Sequence, residues 1–110
     1  MKNYRKRIAD DILMRKLEGK GAVLIEGPKW CGKTTTAEQL AASILYMDDP
    51  EKKAQNITMS ELNPKRLLKG ATPRLIDEWQ LAPKLWDAIR FEVDHRGELG
   101  QFLLTGSAVP

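Results

Sequence analysis

An eight-residue string, GPKWCGKT at residues 27–34, restricts what this chain can fold into more than any other segment. It satisfies G-x-x-x-x-G-K-[ST], a loop whose glycines let the backbone curl until successive N–H groups converge on one anion. Such a loop works only between a strand and a helix. Residues 22–26 (AVLIE) are a short apolar, β-branched run fit for a buried strand, and residues 34–42 carry good helix formers after their threonines. Chance matches the motif's fixed positions in a chain of 110 residues at roughly a few in a thousand. The flanking pattern makes an accident rarer still.

The residue types supply the chemistry. Gly27, Pro28, Lys29, Trp30, Cys31 and Gly32 form the turn, and the following helix adds unsatisfied N–H donors and the positive end of its dipole. Lys33 sets a point charge against the β- and γ-phosphates of a nucleotide. Thr34, followed by Thr35, offers a hydroxyl to a magnesium ion bridging those phosphates. ATP with Mg2+ is the expected ligand.

Composition narrows the setting. The single cysteine, Cys31, excludes an intramolecular disulfide and suits a reducing compartment. No apolar run reaches signal-peptide or membrane-spanning length, so a cytoplasmic protein without a membrane partner is expected. Net charge is +3, with basic residues gathered in Lys2, Arg5, Lys6, Arg7, Arg15, Lys16 and Lys20. That cluster reads as a solvated helix face, or as a surface tracking DNA, although only Tyr4 supplies an aromatic ring there. One histidine, His95, and one distant cysteine give no protein-built transition-metal site.

Apolar residues at Ile8, Ile12, Leu13 and Leu17 predict a helix over residues 4–19, so residues 1–20 are expected to pack as an N-terminal helix on a core spanning 21–110. Strands are expected at about 22–27, 44–47, 74–78 and 101–105. Two short helices are expected between residues 50 and 72, marked by Ser60 and Asn63-Pro64 and anchored by Leu62, Leu67 and Leu68. A longer helix over 83–95 carries the stripe Leu85, Trp86, Ile89 and Val93. Strands alternating with helices predict an α/β fold, a parallel sheet of about four strands flanked by helices.

The string RLIDE at residues 74–78 completes a site. An apolar strand ending in two acids delivers both carboxylates to the carboxyl edge of the sheet, where the phosphate loop also lies. Asp77 is expected to hold the magnesium ion through water, and Glu78 to orient or deprotonate the attacking water. Thr105-Gly106-Ser107 ends the last strand; Ser107, ahead of Thr105, is expected to read the γ-phosphate, while a plain turn favours the same residue types.

Three blocks in order, GAVLIEGPKWCGKTTT (21–36), LIDEWQ (75–80) and FLLTGS (102–107), resemble AAA-type ATP-binding proteins of prokaryotes that carry a C-terminal nuclease-like domain of unknown function. The resemblance reaches the YRKRIAD start at residues 4–10. It implies a P-loop NTPase core with Walker A residues Lys33 and Thr34, Walker B residues Asp77 and Glu78, and a sensor segment at 105–107. Proteins similar to this one continue with a fifth strand, a helical lid and the C-terminal domain. The resemblance therefore implies a truncated core lacking the fifth strand and lid, with its first strand on an edge and weak ATP hydrolysis alone. A homo-oligomer or a missing C-terminal half would supply the arginines, since Arg90 and Arg96 read as salt-linked surface residues. Two alternatives stay open: a nucleotide-gated module gripping DNA or protein without turnover, and a small-molecule kinase. Adjacent acids favour water over an acceptor hydroxyl.

Overall fold

The computed structural model describes residues 20–27 and 33–107, with the backbone alone for Glu26, Gly27, Lys33, Thr34, Thr35 and Ser107. The helix expected over 4–19 and the loop residues Pro28, Lys29, Trp30, Cys31 and Gly32 lie outside the described residues. In chain order the elements are β1 (Ala22–Gly27), α1 (Lys33–Leu40), β2 (Ser43–Tyr46), α2 (Lys53–Leu62), α3 (Pro64–Leu67), β3 (Arg74–Asp77), a 3-10 turn (Trp79–Leu81), α4 (Lys84–Arg96) and β4 (Phe102–Ser107). Among the described residues the strands form one parallel sheet of four in the order β1-β4-β3-β2. The α/β architecture read from the alternating pattern is the one observed.

The two central strands explain the apolar runs. Leu75, Ile76, Phe102, Leu103 and Leu104 are all buried, as strands covered on both faces require. Successive side chains point to opposite faces. Leu75 and Leu103 pack with Val23 and with Ala37 of α1, whereas Ile76, Phe102 and Leu104 pack with Leu67, Leu68, Leu85 and Ile89 from α3, α4 and the segment between. Helices thus cover the sheet on both sides.

α4 stops where Gly97 takes a left-handed conformation (φ 63°) and its N–H bonds the carbonyl of Val93. In its last turn Arg96 pairs with Glu92 at 3.1 Å, donates to Gln101 at 2.9 Å and lies 5.1 Å over the Phe102 ring. At the start of β3, Arg74 donates to the carbonyl of Leu67 at 2.9 Å and to the Ser43 hydroxyl at 3.1 Å. Burial lowers its pKa, but an arginine that starts this high remains a cation.

Two expectations about the middle of the chain are corrected. Ser60 does not mark a helix boundary: α2 runs through it, and its buried hydroxyl returns a bond to the carbonyl of Ile57 at 2.6 Å. Leu62 is not an anchor but is 78% exposed. It stands about 200° round the helix from buried Ser60, on the solvent side. Ile57, Met59 and the fully buried Met47 fill that part of the core instead. Of the α4 stripe, Leu85 and Ile89 are buried, while Trp86 is 37% exposed and borders an apolar groove with Ala22, Leu24, Ile89 and Val93.

Candidate functional site

Parallel α/β sheets place ligands at their carboxyl edge, in the crevice where neighbouring connections leave for opposite faces. That condition is met here. The chain leaving β1 leads to α1 on one face, and the chain leaving β3 leads to α4 on the other, with β4 between them. Gly27 lies opposite Ser107, and Asp77 opposite Thr105. With strands about 5 Å apart, the ends of β1 and β3 are separated by roughly 10 Å. Gly27 and Ser107 thus lie at the edge that carries Asp77 and Glu78, and Lys33, Thr34 and Thr35 form the first turn of α1, the next element after β1.

The carboxylates are held rather than solvated. Asp77 and Glu78 are 7% and 6% exposed. The fully buried Thr105 donates its hydroxyl to Asp77 Oδ1 at 2.6 Å, and Gln80 Nε2 donates to Glu78 Oε1 at 2.6 Å. Bonds to a charged acceptor are among the stronger ones, and they offset part of the cost of taking two acids out of water.

Glu78 itself takes a left-handed backbone (φ 56°, ψ 48°), the one non-glycine residue with positive φ among those described. Such a conformation costs on the order of 1–3 kcal/mol and concentrates at functional sites. It turns the chain out of β3 into the 3-10 turn, closed by the Leu81 N–H on the carbonyl of Glu78 at 3.2 Å. The turn in turn leans on β4. A Cβ on Gly106 would stand 2.7 Å from Gln80 Oε1 and 3.1 Å from the Trp79 ring, so the end of the Gln80 side chain would have to shift. Trp79 also meets Trp86, ring centroids 5.2 Å apart.

Tyr46, the last residue of β2, lies opposite Asp77 and donates its hydroxyl to the Glu38 carboxylate of α1. That bond, then burial, then the charges of Glu38 and Asp77 push its pKa up to about 12. The fold therefore favours the neutral phenol over its ordinary value of about 10. The contribution is complete below pH 10 and is lost as pH rises through about 12; with Tyr46 39% exposed it is modest. In a Tyr4→Phe background, tyrosinate absorbance should titrate with a midpoint near 12, and Glu38→Ala should bring it back toward about 10. A midpoint indifferent to Glu38→Ala would contradict the pairing.

Sequence reasoning missed Gln80, Tyr46 and Glu38. Tyr46 carried a usable signal, an aromatic hydroxyl at the predicted end of a strand. Thr105, placed second to Ser107, is the hydroxyl that reaches Asp77. Arg96 is ion-paired with Glu92 and Arg90 is exposed, in keeping with surface helix positions. His95 stacks on Phe91 at 3.9 Å near the end of α4.

A family model described as an AAA domain matches residues 19–110. No curated protein matches the chain, and no solved structure does.

Proposed function

The chain belongs to the AAA domain family, and on that premise we propose that it binds ATP with magnesium at the carboxyl edge of its sheet and hydrolyses it to ADP and phosphate. The carrying observation is the joint placement of the phosphate-loop string between β1 and α1 and of a buried acid pair two strands away at the same edge.

Gly27 and Gly32 let backbone N–H groups face the phosphates, Pro28, Lys29, Trp30 and Cys31 shape the loop, and the N-terminus of α1 adds its donors at Lys33, Thr34 and Thr35. Lys33 balances charge on the β- and γ-phosphates. Magnesium takes one or two carboxylates plus phosphate oxygens and water, and Asp77, fixed by Thr105, would be a donor of that kind, with Thr34 of the loop string supplying a hydroxyl. When bound, the ion neutralises charge on the transferring phosphoryl group. Glu78 orients a water and accepts its proton while the oxygen adds to the γ-phosphorus. The bond from that phosphorus to the bridging oxygen breaks, and ADP leaves with the electron pair. Ser107, level with Gly27 on the adjacent strand, contacts the γ-phosphate.

Calorimetric titration with Mg-ATP, paired with a phosphate-release assay, tests this reading. Glu78→Gln should keep the Kd and lower kcat by roughly 10²–10⁴-fold. A folded protein that does not bind Mg-ATP would overturn the proposal, and undiminished turnover in Glu78→Gln would remove Glu78 from its role.

A further inference from the structure

We propose that Gln80 is the positioning residue of this site: its side-chain amide ties the Glu78 carboxylate to the end of β4 and fixes the plane in which that carboxylate meets the attacking water. The inference rests on the role given to Glu78 above.

Three observations carry it. Gln80 Nε2 donates to Glu78 Oε1 at 2.6 Å, a short bond to a buried carboxylate. The 3-10 turn holds both residues in one frame, with the Leu81 N–H on the carbonyl of Glu78 at 3.2 Å and the Ala82 N–H on the carbonyl of Trp79 at 2.9 Å. The opposite end of the amide rests on β4, since Gln80 Oε1 lies 2.7 Å from where a Cβ of Gly106 would be. Gly106 stands between Thr105, which bonds Asp77, and Ser107, which lies level with Gly27.

The left-handed backbone of Glu78 gives such a brace a purpose. It takes the residue out of strand geometry, so the sheet no longer dictates where the carboxylate points. A planar amide gripping one carboxylate oxygen restores that definition. The lack of a side chain at residue 106 lets the amide end of Gln80, a residue otherwise exposed, lie against a buried strand.

The first test needs no turnover. In the nucleotide-free protein, the side-chain amide protons of Gln80 should resonate downfield of those of other glutamines, and Glu78→Ala should return them to the ordinary range. The second is kinetic. Gln80→Ala should lower kcat roughly 10- to 100-fold, as small misplacements of a reacting group do, while the Kd for Mg-ATP stays within about twofold. Gly106→Ala, which keeps the amide but takes its seat, should produce the same split.

Amide shifts that ignore Glu78→Ala, or a kcat unchanged in both Gln80→Ala and Gly106→Ala while Glu78→Gln abolishes turnover, would overturn the positioning role alone. If Glu78→Gln leaves turnover intact, the role of Glu78 fails first, and this inference falls with it.

Discussion

Lys33→Ala is expected to weaken Mg-ATP binding by at least roughly 100-fold, about 2.7 kcal/mol, leaving no saturable titration at ordinary concentrations. Lys33 is the only side chain of the string GPKWCGKT whose charge is directed at the β- and γ-phosphates in the proposed mode, and charge-assisted contacts to phosphate are individually worth about 1.5–3 kcal/mol. The substitution lies at the first residue of the helix, ahead of the core contacts that Ala37 and Leu40 make about one and two turns further along α1. Titration calorimetry with a thermal melt alongside reads both quantities. A folded Lys33→Ala protein whose Kd stays within about threefold of the parent would mean that the loop is not the phosphate cradle.

Phe102→Ala should produce the largest loss of stability. Phe102 is fully buried in a central strand, opposite Ala22 on one side and Arg74 on the other. Its ring carries the Arg96 guanidinium, which also organises Glu92 and Gln101. Truncating such a side chain costs about 3–5 kcal/mol through lost transfer energy and an unfilled cavity. Against a total stability on the order of 5–15 kcal/mol, that is a large share. With an m-value of about 2 kcal/mol/M, the urea midpoint should fall by about 2 M. Phe102→Leu, nearer in volume, should cost about 1–1.5 kcal/mol. A midpoint that moves by less than about 0.5 M in Phe102→Ala would show that β4 is not where the core is concentrated.

The parallel sheet was legible because two independent signals agree: the phosphate-loop string requires a strand before it and a helix after it, and the runs at 75–76 and 102–104 are too apolar for a one-sided strand. The acids at 77 and 78 were legible as a strand end for the same reason. The brace around them was not. Nothing in residues 77–80 announces that Glu78 adopts a left-handed backbone, since glycine or asparagine is the residue that normally advertises one. Without that turn, Gln80 reads as an ordinary polar residue. The bond from Tyr46 to Glu38 was hidden differently. It joins two elements whose relative rotation depends on how α1 seats against Val23, Leu75 and Leu103. Leu62 misled because a leucine's hydrophobicity is visible in sequence, but the side of the helix it occupies is set by its neighbours' burial.

The tilted contact of Trp79 and Trp86, 37° between ring planes at 5.2 Å, has an optical consequence. Two indoles so close and not parallel couple their electronic transitions, and a coupled, skewed pair rotates polarised light far more strongly than either ring alone. One indole directly follows Glu78 and the other belongs to α4, so the sign and depth of the far-ultraviolet circular dichroism couplet of the indole pair record the angle between the acid-bearing turn and that helix. The protein thus contains its own goniometer, readable without a label.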